Sequence, residues 1–139
     1  MTAPINRPTP CPSCPFRARG DTAFLPETLD ATIGENLRTG YAHKCHQDLG
    51  TERERLCAGF MAFTHRQGIP NRMLIFAGRL GILGEVMVPD GLLIPGDWRA
   101  VLAEHARRLG WRRASASGPL VARGDEVAEG LGGEDADTP

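Results

Sequence analysis

The sequence predicts a mainly α-helical fold: one small domain of about four helices built around a four-cysteine metal site, with room for one short β element near Cys45. Three observations lead there. Apolar residues recur at three- and four-residue spacing in several segments bounded by helix start and stop signals. The length, 139 residues, fits a single domain with a core of its own. Four cysteines, two of them in a Cys-x-x-Cys pair, supply a donor set in a chain without secretory features.

Taking the elements in order, residues 1–10 are proline-rich and read as an extended arm, because proline lacks the amide hydrogen that regular structure uses. Cys11-Pro-Ser-Cys14-Pro15 reads as a stiff loop that brings two thiols together. Pro26 suits a first helical turn, and Leu29, Ile33 and Leu37 follow at four-residue spacing before Gly40, giving a helix over 26–38. Residues 41–47, which carry Cys45, read as a short strand or extended loop. Thr51 and Glu54 match a capping box, with Leu56, Phe60, Met61 and Phe63 continuing as a helix that holds Cys57 in its first turns. After Pro70, the apolar run from Met73 to Leu83 reads as a buried helix interrupted by Gly78 and Gly81. Residues 86–95 form a connecting loop, and Asp97 caps a helix over 98–109 that Gly110 closes. Residues 114–123 form a weak segment of Ala, Ser and Gly, and a short helical piece is expected at 126–131. The domain thus spans residues 11–123, followed by an acidic flexible tail over 124–139.

Composition constrains the core and the compartment. With 41% hydrophobic but only 6% aromatic residues, the interior is expected to be mainly Leu, Ile, Val, Ala and Met. No apolar run approaches the roughly 20 residues that cross a bilayer, and the first residues lack the apolar stretch of a signal peptide, so a cytoplasmic protein without membrane contact is expected. Residues 1–123 carry sixteen Lys and Arg against eleven Asp and Glu, a surplus of five, whereas residues 124–139 carry six acids and no base. A solvated surface and tail account for this division; a nucleic acid or an acidic protein facing the basic body is the sharper alternative.

Cys11, Cys14, Cys45 and Cys57 are the strongest chemical signal. In reducing conditions a Cys-x-x-Cys pair more often holds metal than a disulfide, and a tetrahedral ion needs four soft or borderline donors within bonding distance. Disulfides or plain buried thiols are the competing reading. Zinc is the commoner occupant of such sites, but a zinc ribbon has two similar Cys-x-x-Cys loops and this chain has one. The separated third and fourth cysteines and the proline after Cys14 favour a [4Fe–4S] cluster, with Zn²⁺ as the alternative. His43 and His46 flank Cys45; with four thiolates completing the shell, they fall to supporting positions. His65 and His105 sit on expected helices and receive no role.

The pieces Cys11-Pro-Ser-Cys-Pro-Phe-Arg17, Lys44-Cys45-His46 and Cys57-Ala-Gly-Phe60 resemble an uncharacterised family of small cysteine-rich bacterial and phage proteins with the pattern CPxCP-aromatic-R, CH, CAG-aromatic. The resemblance covers about residues 10–66 and implies that the four cysteines are the shared feature, with a helix between the first two motifs. No activity comes with it.

Function is therefore read from the site. A small regulatory or binding module with a metal centre comes first, contacting nucleic acid or protein through Arg99, Arg107, Arg108, Arg112 and Arg113 beside Trp98 and Trp111. The plain reading of those arginines is a solvated helix face. A cluster-based redox sensor or enzyme is the alternative. No Gly-rich phosphate loop, H-E-x-x-H or Gly-x-Ser-x-Gly motif supports catalysis, and a thioredoxin-type pair would need a strand before Cys11, where a proline-rich arm stands.

Overall fold

The computed structural model of the chain describes residues 3–20 and 22–117, with side chains as far as Trp111. The acidic tail, the segment beyond 117 and the helical piece at 126–131 lie outside the described residues. Residues 1–106 form one compact unit and residues 107–139 a second.

The described residues are mainly helical. In chain order they contain α1 (Pro26–Leu29), a π-helical turn (Asp30–Gly34), α2 (Glu35–Thr39), α3 (Ala58–Gln67), α4 (Arg72–Arg79) and α5 (Trp98–Ser117). The expected helix over 26–38 is thus present with a π turn inside it. Leu29 and Ile33 are buried as their spacing implied, and Gly40 stops α2 in the left-handed region at φ 85°. Within the π turn, the Asp30 carboxylate accepts the Trp98 indole N–H at 2.8 Å, and a Cβ on Gly34 would strike both groups.

No regular strand occurs among the described residues. The β element expected near Cys45 is reduced to isolated bridges, Lys44 to Leu56 and Asn6 to Leu56. Residues 5–7 are held by backbone bonds: Leu56 donates to the Ile5 carbonyl at 2.7 Å and Arg7 donates to the Leu56 carbonyl at 3.0 Å. Asn6 is buried and its carboxamide oxygen accepts the Gly84 N–H at 2.7 Å. The extended backbone of this segment therefore finds its partners in two distant loops.

Several expectations need correction. α3 begins at Ala58, and its N-cap is Cys57, whose Sγ accepts the Phe60 N–H at 3.4 Å. The Thr51–Glu54 capping box does not form, because Glu54 accepts from Lys44 Nζ and the Gly50 N–H while the Thr51 hydroxyl donates to the Asp48 carbonyl. α4 is not buried: Ala77 is its one buried residue, since an eight-residue helix touches the body along a single line. Gly110 does not end α5, which runs on to Ser117; glycine costs about 1 kcal/mol in a helix, less than good helix formers on both sides restore.

The core is also more aromatic than composition implied. Phe16, Phe60 and Phe63 are the largest fully buried side chains, with Ile33, Val101 and His105 around them. Phe16 lies against Phe63 at 5.0 Å and Trp98 at 6.0 Å between ring centroids. A few aromatic rings, each removing a large area from water, outweigh their small number.

Candidate metal centre

The chain presents its cysteines from three places. Cys11 and Cys14 occupy a turn closed by the Cys14 N–H donating to the Cys11 carbonyl at 3.1 Å. Pro12 and Pro15 stiffen this turn, and Arg17 clamps it by donating Nε to the Cys11 carbonyl at 2.7 Å and Nη2 to the Pro10 carbonyl at 2.9 Å. Cys45 and Cys57 come from the two sides of a short antiparallel contact, in which Cys45 donates to the Arg55 carbonyl and Cys57 to the His43 carbonyl, both at 2.8 Å. That contact brings two thiols twelve positions apart to one place.

All four cysteines are buried, at 1–4% relative exposure, and none is in a disulfide. They belong to one apolar cluster with Phe16, Phe60, Phe63, Leu29 and Ile33. Gly59 admits the cluster to the start of α3: a Cβ there would collide with Cys14 Sγ and stand 3.1 Å from Phe16 Cδ2. Phe16 and Gly59 thus explain positions of the motifs that carry no donor.

The thiols interact in pairs, Cys11 with Cys14 and with Cys45, and Cys14 with Cys57. Hydrogen bonds from Cys14 and Cys45, with His46 nearby, bring the Cys11 thiol down to about 4 despite burial. The hydrogen bond from Cys14 also lowers Cys57, whereas Cys14 is raised by those same bonds and by burial. Burial raises Cys45. The physical content is charge crowding: a dry pocket supports ionisation of some of the thiols only while the others keep their protons. Among the described residues no group of three or more His, Cys, Asp or Glu side chains is arranged to hold a metal ion as it stands.

Polar groups surround the sulfurs on one side. His46 Nε2 lies 3.5 Å from Cys11 Sγ and 3.1 Å from Ser13 Oγ, and Gln47 also donates to Ser13 Oγ. Arg7 Nη1 is 3.7 Å from Cys45 Sγ and 3.0 Å from Asp48 Oδ1, while Arg7 Nε is buried without a partner. The buried Asp48 carboxylate is shared with Arg55 Nε at 2.9 Å, which holds it below the usual carboxylate range. Sequence reading missed Arg7, Ser13 and Asp48, because nothing in their spacing marks them; Arg17 was visible as a motif position without a role. His43 stands further back, its ring against Phe60 and Nδ1 paired with the Asn36 carboxamide at 3.1 Å, and burial lowers it to about 4, leaving it neutral at pH 7.

The profile of a family of unknown function, DUF6283, matches residues 6–119, which includes every cysteine. The chain belongs to the DUF6283 family. No curated protein and no solved structure matches it. The DUF6283 match extends well past the three cysteine motifs and covers the residues of α4 and α5. No helix among the described residues is long and apolar enough to cross a membrane.

Of the arginines singled out on α5, the side chains of Arg99, Arg107 and Arg108 are described. Arg99 is exposed in the first unit; in the second, Arg107 is exposed and Arg108 half-buried. The side chains of Arg112 and Arg113 lie outside the described set. Trp98 is a core contact donating to Asp30, and Trp111 is exposed. His105 is fully buried, with Nδ1 accepting from the Phe24 N–H and Nε2 donating to the Pro15 carbonyl at 2.7 Å, a bond that steadies the proline after Cys14.

Proposed function

We propose that the chain is a small metal-binding module in which Cys11, Cys14, Cys45 and Cys57 hold one metal centre. The observation that carries this reading is the burial of four free thiols from separate segments against one another. Four thiols crowded in an apolar pocket gain little as a core: they pack no better than aliphatic groups and their ionisation is mutually unfavourable. A bound cation would remove that conflict by taking the place of the protons, with Cys11, Cys14, Cys45 and Cys57 as the thiolates that would hold it. The donor set fits both a [4Fe–4S] cluster, the occupant favoured by the ligand spacing, and Zn²⁺.

Either occupant would supply folding energy and a fixed geometry, and a cluster would add one-electron chemistry. The chain's own residues do the rest. Arg17 holds the turn of the first pair, the Phe60 N–H donates to Cys57, and Arg7 offsets negative charge beside Cys45. Phe16, Phe60 and Phe63 exclude water on the inner side.

The test is metal analysis and a visible absorption spectrum of chain purified without oxygen, beside a Cys57→Ser variant. Iron with inorganic sulfide and a visible band lost in the variant assigns a cluster and moves a sensor or redox role forward. One colourless zinc per chain, lost in the variant, assigns a structural site. Absence of stoichiometric metal, or metal retained unchanged by Cys57→Ser, overturns the proposal.

A further inference from the structure

Among the described residues, none covers the apolar face of α4. Met73, Phe76 and Leu80, spaced i, i+3 and i+7, form one stripe and are 45%, 65% and 57% exposed. Tyr41, 57% exposed, extends the stripe by lining a groove with Gly40, Arg72, Met73 and Phe76. Single exposed apolar residues are ordinary; four large ones on one surface strip mark an interaction site.

The strip is rigidly built. Asn71 caps α4 by accepting the Leu74 N–H at 3.1 Å and donates its carboxamide to the Tyr41 carbonyl at 3.0 Å. Met73 donates to the Gly40 carbonyl at 3.1 Å, and Arg72 Nη2 donates to the Thr39 carbonyl at 2.9 Å. Gly40 lies at φ 85°, with Arg72 Nε 3.2 Å from where a Cβ would be, so the end of α2 and the start of α4 fit only with glycine there.

Charge selects the occupant. Arg72 and Arg79 are seven positions apart, two turns along one line and about 10 Å in rise, beside the apolar stripe. Both are exposed, and α4 contains no acid. A second copy of the chain meets this rail with no carboxylate from its own α4, and antiparallel two-fold pairing puts all four arginines on one edge. A helix with apolar residues at i, i+3 or i+4, and i+7, flanked by carboxylates seven apart, satisfies both stripe and rail.

We infer that the Tyr41–α4 face docks an acidic amphipathic helix of a partner protein. This inference is independent of what the cysteines hold. The test pans a phage-displayed library of helical peptides on the full chain, with Phe76→Asp as the counter-target, and measures the enriched peptide by fluorescence anisotropy. Expected are sequences with the stated apolar spacing and Asp or Glu seven apart. Binding should fall at least ~10-fold in Phe76→Asp and in the Arg72→Glu/Arg79→Glu double variant, with recovery in the latter for a peptide whose acids are changed to arginine. Circular dichroism and metal content matching the parent establish that both variants fold. Enrichment of basic or uncharged peptides, or no enrichment above the Phe76→Asp background, overturns the inference. So does self-association lost in Phe76→Asp, or binding to phosphatidylserine vesicles lost in Phe76→Asp without any enriched acidic peptide.

Discussion

The cysteine cluster and α4 use their apolar side chains in opposite ways. Around the cluster, the Cys11–Cys14 turn, the segment of Cys45 and the first turns of α3 converge and bury four sulfurs and three phenylalanines. α4 is a regular helix with a side-chain cap, yet it hides only Ala77 and presents Met73, Ile75, Phe76 and Leu80 to solvent. Burial here follows convergence of segments from across the sequence, and local regularity has little to do with it. The converging region is expected to carry the stability of the unit and α4 its contacts.

The sharpest way to break that contrast is at a donor. Cys57→Ser removes one thiol and the N-cap acceptor of α3 together. It should abolish stoichiometric metal and lower the melting temperature by well over 10 °C, read by calorimetry, because metal binding of this type contributes on the order of 10 kcal/mol to folding. An unchanged transition would place stability elsewhere. Next, Phe16→Ala should cost about 3–5 kcal/mol in denaturant unfolding, since Phe16 is fully buried against Phe63 and Trp98.

Gly59→Ala is a finer probe. Alanine is the better helix former, so on an exposed helix the change stabilises by about 1 kcal/mol. Here the added methyl meets Cys14 Sγ and the Phe16 ring, and a net loss of about 1–3 kcal/mol with weakened metal retention is expected. A stabilising outcome would show that the start of α3 stands clear of the cluster.

Two smaller effects complete the comparison. The Asp30 carboxyl is held below its ordinary range first by the Trp98 indole and then by Arg38. A lowered folded-state value means that its contribution is present above the unfolded carboxylate value and is lost as pH falls through the folded one. Asp30→Asn should therefore flatten that acid limb of melting temperature against pH. Phe76→Ala, on the exposed strip, should shift stability by no more than about 0.5 kcal/mol while weakening helix docking.

Much of this was legible because it is local. Leu29 and Ile33 at four-residue spacing, the stop at Gly40 and the helix starting at Trp98 depend on neighbours within a few positions. The Thr51–Glu54 box failed for the opposite reason: Lys44 reaches Glu54 from ten positions away and Cys57 takes the cap. The exposure of α4 was likewise invisible, since an apolar run does not state whether a second surface covers it.

By itself the sequence determined the helical character, the turn of Cys11 to Cys14 and the identity of the four thiols, because propensity, proline stiffness and donor chemistry are properties of residues and short spacings. Only the tertiary structure decided that Cys45 and Cys57 meet that turn, that Arg7 and Asp48 stand beside it and that Gly59 makes room for it. These are contacts across tens of residues, fixed by how the backbone of residues 5–7, 43–45 and 55–57 shares its hydrogen bonds and by what the phenylalanine core can enclose.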